Sequence, residues 1–331
     1  MYHAGALPQR ARYVMKLALA RLLPLLYVAF ASATLCAAAR AMAVPELEQL
    51  APGVYAVIPA PEEAAPSNHG VVGNIGVLVG DSGVVLIDTG TSAGYLRALL
   101  TQIRRLTPLP VVLAINTHQN PAHVFGNGVL REMGVPVLAH RDTDALIAAR
   151  CERCLKQLVQ ALGEADMAGT LVTRPSRLID APATISAGGR RLDLLYYGPT
   201  AAPGAIVVLD RASGTLFGGG VVTMDRIPDL KDADLGQWQA ALRSLGRIGS
   251  TRIVPGAGPV FDSARLPELA GYLAAITPVV QAAFLQGASL GEAAAAAPLP
   301  AYRHWALYDS MHGKNVEQLY LRLENAYLNS P

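Results

Sequence analysis

Apolar runs and the turns between them divide this chain into short strands followed by a helical tail. Val54-Tyr55-Ala56-Val57-Ile58 reads as a strand, and a loop rich in Pro, Glu and Ala follows it. The stretches 74–79 and 84–87 are β-rich, and Asp81-Ser82-Gly83 between them is a hairpin turn signal. From Tyr95 to Leu106 the apolar positions recur at helical spacing. Residues 111–115 form a continuous apolar run, the pattern of a strand buried on both faces. That run ends at Asn116-Thr117-His118.

A second hairpin repeats the first. Ile206-Val207-Val208-Leu209 leads through Arg211-Ala212-Ser213-Gly214 into Thr215-Leu216-Phe217-Gly218 and a glycine loop. A helix from Leu235 to Leu245 and a short strand, Arg252-Ile253-Val254, come next. Both halves therefore share one order of hairpin, helix and strand. The repeat is about 130 residues, far longer than a solenoid period. It predicts two similar halves packed face to face, with sheets inside and helices outside. Beyond Ser263 the pattern is helical, broken by Pro298 and Pro300 after an alanine run, with a last amphipathic helix over 316–328.

Composition narrows the class. The 331 residues are 52% hydrophobic and 16% charged, enough apolar material for a sizeable core and against disorder. A net charge of +2 gives no electrostatic case for nucleic acid or for acidic membranes.

The N-terminus reads as an export signal over residues 1–43. Arg10, Arg12 and Lys16 precede an apolar run from Leu22 to Ala39, and Ala41-Met42-Ala43 offers a cleavage site that leaves Val44 first. Translation from Met15 would shorten the basic region. An uncleaved anchor is the alternative, since such a run can just span a bilayer. The cleavage site favours a periplasmic or secreted protein with no stable membrane span. Cys36 would leave with the signal. Cys151 and Cys154 remain, too few for a tetrahedral zinc site. In an oxidising compartment they are expected to form a local disulfide.

Chemistry on such scaffolds sits in loops at strand ends. Five stand out: Asp88-Thr89-Gly90; Thr117-His118-Gln119-Asn120-Pro121-Ala122-His123; Gly198-Pro199-Thr200-Ala201-Ala202-Pro203-Gly204; Gly218-Gly219-Gly220; and Pro255-Gly256-Ala257-Gly258-Pro259. In order and spacing they resemble the signature loops of the metallo-β-lactamase superfamily, across nearly the whole mature chain. The resemblance implies a four-layer αββα sandwich over 44–262, with a helical extension over 263–331 packed on it.

The family's second loop reads T-H-x-H-x-D-H. Here His118 and His123 survive, Asn120 replaces the middle His, and Ala122 replaces the aspartate. Ala201 stands where the third loop carries a His, Gly220 where the fourth carries Asp or Cys, and Ala257 where the fifth carries a His. Asp88, from the family's L-I-D-T-G, is intact. A narrower resemblance is to the quinoprotein relay system zinc metallohydrolases. It lies in the mature N-terminus, Arg226-Ile227-Pro228, Tyr302-Arg303-His304-Trp305, Asp309-Ser310-Met311-His312 and Asn315-Val316. That group is periplasmic and associated with quinoprotein dehydrogenases and their cytochromes.

Catalytic zinc needs about three protein ligands and an open water position. Two imidazoles with a weak carbonyl oxygen from Asn120 fall short, so no cofactor is expected. A remodelled site would recruit His69, His140 or His312; the plainer expectation is that these pack or hydrogen-bond. Small replacements leave the cleft open and more apolar. Gly218-Gly219-Gly220 lacks the Lys-Ser/Thr of a phosphate loop, and no G-x-S-x-G elbow occurs. Asp88 is expected to orient His118 or cap loop amides. The reading is a non-catalytic binding or accessory protein, for a small molecule or a periplasmic redox protein. The alternative is a zinc hydrolase using a reduced mononuclear site.

Overall fold

The computed structural model describes residues 44–329, so the expected export signal lies outside the described residues. The first sheet has seven strands in chain order: β1 (Glu48–Ala51), β2 (Val54–Val57), β3 (Ile75–Val79), β4 (Val84–Ile87), β5 (Val111–Ile115), β6 (Val137–His140) and β7 (Arg177–Ile179). Pairing is antiparallel from β1 to β4 and parallel from β4 to β7. Helix α1 (Ala93–Leu106) makes the crossover from β4 to β5. Ser92 starts it by accepting a hydrogen bond from the Tyr95 amide. Between β5 and β7 lie α2 (Pro121–Val124), α3 (Asn127–Glu132), α4 (Arg141–Leu162) and α5 (Glu164–Met167).

The second sheet has β8 (Ala183–Ala187), β9 (Arg190–Tyr196), β10 (Ile206–Asp210), β11 (Leu216–Thr223) and β12 (Ile253–Ala257). It is antiparallel except between β11 and β12, which α6 (Leu235–Ile248) joins in parallel. Hairpin, helix and parallel strand thus occur once in each sheet. The tail folds as α7 (Leu266–Leu285), α8 (Leu290–Ala296) and α9 (Gly313–Leu328).

Strand periodicity explains the layers. In β3 and β4, Ile75, Val77, Val84 and Leu86 face Leu96, Leu99 and Ile103 of α1. The alternate residues Leu78, Val85 and Ile87 face Ile206, Val208 and Phe217 of the other sheet. Burial on both faces is why these strands read as unbroken apolar runs. The outer face of the second sheet packs on α6 and on the tail, with Trp238, Leu242, Tyr272, Ile276 and Val316 in one core.

Three features depart from the sequence reading. Strand β11 runs through Gly218-Gly219-Gly220, which is not a loop, and β12 runs through Pro255 to Ala257. Strands β1 and β6 to β9 are short or carry charged residues, so no strand pattern marked them. Cys151 and Cys154 are free thiols one turn apart on α4, not a disulfide. The continuous helix sends Cys151 into the core, while Cys154 is half-exposed.

Candidate functional site

Strand β4 ends at Asp88, whose backbone has φ +67°. This left-handed conformation is uncommon for a residue with a Cβ. The Asp88 amide donates to the Ile115 carbonyl, joining the ends of β4 and β5. Its carboxylate then accepts from the Thr117 amide at 2.8 Å and the Thr117 hydroxyl at 2.7 Å. Thr117 Oγ1 is also 2.8 Å from His118 Nδ1. The hydroxyl's one proton goes to the carboxylate, so it accepts from His118 Nδ1–H. That fixes the neutral tautomer and leaves the lone pair on His118 Nε2. Burial, then the neighbouring His123, push the His118 pKa down to about 3, although Asp88 acts against them.

His123 lies on α2, with Nδ1 buried, 3.3 Å from Asp88 Oδ2 and without a hydrogen bond. The two imidazoles sit 4.5 Å apart at 49°. Donor atoms of Asp88, His118 and His123 lie within 4.8 Å of one another, a group able to hold a metal ion. Asp88 thus holds the Thr117–His118 turn, with His123 close beside its carboxylate.

Other expected positions behave differently. Asn120 is the exposed N-cap of α2, and its Oδ1 accepts from the Ala122 amide at 2.9 Å. The carbonyl oxygen considered as a weak ligand is therefore committed to the helix. A Cβ on Gly220 would lie 2.6 Å from His118 Cδ2, so the imidazole packs directly against this glycine. Gly219, at φ +49°, likewise lets Thr117 approach. The glycine run is a packing device that brings β11 under the Thr117–His118 turn.

The histidines considered for a rebuilt site lie elsewhere in bonding terms. His69 pairs with Asp166 at 2.9 Å. His140 Nδ1 accepts from the Asp142 amide, and its ring stacks on Tyr196. His312 bridges Tyr272 Oη and the Ala297 carbonyl in the tail's core. Among the described residues none of them joins the metal-capable group.

These parts face a cavity of about 350 Å³, whose lining includes His118, His123, Ala201, Gly220 and Ala257 but not Ala122. Cys151 and Cys154 line it too, and burial pushes the Cys151 thiol up to about 12. Sequence reasoning missed its other wall, residues 225–234. Asn315 of α9 accepts from the Leu230 amide and donates to the Pro228 carbonyl. Arg322 donates to the carbonyls of Leu230, Lys231 and Ala233. The Ile227 amide donates to Ala306 O, and the Ala306 amide to Asp225 O. The signal for this lay in Arg226-Ile227-Pro228 and Asn315-Val316, which stood out only as a resemblance.

Of the positions matched to the family's ligands, His118 and His123 keep a histidine. Ala122, Ala201, Gly220 and Ala257 offer no donor, and Asn120 Oδ1 accepts a hydrogen bond from the Ala122 amide. Among the described residues the group able to hold a metal ion is Asp88, His118 and His123, with a carboxylate that already accepts two hydrogen bonds from Thr117.

Residues 70–257 match the family model of the metallo-β-lactamase superfamily. A metallo-β-lactamase from Pontibacter korlensis superimposes with TM-score 0.56 at 24% identity, over 69% of this chain and 98% of that one. The DIM-1 metallo-β-lactamase gives 0.55 at 19%, over 70% and 98%. An enzyme from Hirschia baltica gives 0.55 at 21%, over 69% and 97%. Sheet order, the Asp88 turn and the matched span agree: the chain belongs to the metallo-β-lactamase superfamily.

Proposed function

We propose that this protein binds a small molecule in its cleft and does not hydrolyse it, as an exported accessory member of the superfamily. One observation carries the reading: the His118 ring packs against Gly220, at the sequence position where the family's fourth loop carries Asp or Cys. Hydrolysis in this family relies on a water whose pKa a metal brings to about 7. At a pKa of about 3, His118 is too weak a base to activate water. A cavity of about 350 Å³ is present, lined in part by Ala201, Gly220 and Ala257. The narrower resemblance supports a place beside a periplasmic quinoprotein or cytochrome. Recovery of such a protein with the tail intact, and not with its surface altered, tests that link.

The deciding measurement is zinc, iron and manganese per chain in the mature protein from Val44, purified without chelator or histidine tag. Near-zero metal, unchanged after zinc addition and dialysis, is expected. Zinc-dependent turnover of an ester, amide or thioester at an ordinary enzymic rate would overturn the proposal. A second reading, one ion on Asp88, His118 and His123, is favoured by the buried, unbonded His123 Nδ1. It requires about one metal per chain, lost in a His118→Ala/His123→Ala variant.

A further inference from the structure

Helix α4 turns two sulfurs toward the cleft. Cys151 and Cys154 are one helical turn apart, so they share a face, and both line the cavity. Both are free thiols. Cys151 Sγ lies 4.0 Å from the Gln119 carbonyl, in the loop that carries His118, and the thiol is in hydrogen-bonding contact with Cys154. Val124, Phe125 and Ile147 form an apolar bed behind the pair. Arg150, itself paired with Asp232, lines the same cavity, and its charge reaches Cys154. Met311 adds a third sulfur to that lining. Of the chain's three cysteines, Cys36 precedes Val44, so the mature chain keeps only this pair.

We propose that Cys151 and Cys154 form a binding site for one soft monovalent metal ion, copper(I), held between two thiolates. Two adjacent sulfurs suit such an ion, because thiolate and thioether ligands select soft metals. They fall short of structural zinc, which takes four ligands. Among the described residues the group of His, Cys, Asp and Glu able to hold a metal leaves both cysteines out, so no imidazole or carboxylate completes a harder site around them. Binding releases the two thiol protons to solvent and moves no electron. Two thiolates and the ion carry one net negative charge, and Arg150 stands beside it. The site opens on the same cleft as Asp88, His118 and His123 but uses none of them, and it does not depend on the small-molecule reading above.

Anaerobic titration of the reduced mature chain with copper(I), in competition with the coloured chelator bicinchoninate, tests this. The wild type is expected to withdraw about one copper per chain, to gain the ultraviolet absorption of thiolate-bound copper and to resist iodoacetamide at both cysteines. Excess zinc should not displace the metal. Loss of a supporting contact costs a metal site about 10–100-fold, so loss of a direct ligand must cost more. Cys154→Ser, at the half-exposed position, is therefore expected to weaken copper binding by more than about a hundredfold with an unchanged melting temperature, and Cys151→Ser to do the same to binding. If Cys151→Ser fails to fold, Cys154→Ser decides alone. Copper binding that survives in Cys154→Ser and disappears in His118→Ala/His123→Ala would overturn the proposal and place the metal on the histidines. A wild type that leaves the chelator's copper untouched would overturn it outright, and the zinc, iron and manganese contents that test the small-molecule reading would be unaffected.

Discussion

Gly220 and His118 are best understood as one unit. The imidazole has moved no great distance in chemistry from a ligand: it is neutral, its tautomer is set by Thr117, and Asp88 stands behind it. What differs is that a Cβ at position 220 would meet it at 2.6 Å. Restoring the family residue by Gly220→Asp therefore overpacks the site and places a carboxylate against a buried ring. It is expected to cost about 1–3 kcal/mol, read as a lower urea midpoint, without conferring zinc-dependent turnover. His118 also makes stability depend on pH. Its folded pKa of about 3 is below the ordinary 6.5, so between those values the unfolded chain binds a proton that the folded chain refuses. The contribution is complete above about pH 6.5 and lost as pH falls toward 3, at up to about 1.4 kcal/mol per pH unit. Urea titrations between pH 4 and 7 should show His118→Leu with a slope flatter by about one proton; equal slopes would contradict a buried neutral His118.

Elements determine how these residues meet. Helix α4 places Cys151 inward and Cys154 half-exposed, so timed alkylation with iodoacetamide near pH 7.5 should label Cys154 well before Cys151, whose thiol is raised to about 12. Equal rates would mean that α4 opens. On α9, Asn315→Ala would strand the buried Leu230 amide and Pro228 carbonyl, a loss of about 1–3 kcal/mol with unchanged m-value. The hairpins β3–β4 and β10–β11, with α1 and α6 after them, were legible because burial on both faces writes unbroken apolar runs. Strands β8 and β9 were not, since Arg190, Arg191 and Asp193 interrupt the pattern for reasons seen only in three dimensions. Arg190 pairs with Asp210 across the sheet, and Asp193 with Arg211. At the site, the loss of donors could be read from single positions. The capping role of Asn120 and the fit of His118 over Gly220 depend on contacts between distant segments, which no spacing encodes.

At the scale of the molecule, the tail is part of the second half and not an addition to it. One face of the sheet β8–β12 is covered by α6 together with α7 and α9, and the core there mixes Trp238, Leu242 and Leu245 with Leu266, Leu269, Tyr272, Leu273 and Ile276. Each of those last five side chains is nearly or wholly buried. At roughly 1.5–3 kcal/mol per large apolar side chain, their removal costs about as much as a whole domain stability of about 5–15 kcal/mol. A chain ending at Asp262, the boundary at which the sandwich would close by family resemblance, should therefore lose its fixed packing. It is expected to keep much of its far-ultraviolet circular dichroism, lose the near-ultraviolet signal of Trp238, and unfold in urea without a sharp transition. The cleft should go with it, because residues 225–234 hold their course through Ala306, Asn315 and Arg322. A sharp transition at the full chain's midpoint would show instead that the sandwich stands alone and that the tail only decorates it. The expected outcome ties the cleft to the tail, since the wall over residues 225–234 is held by Ala306, Asn315 and Arg322.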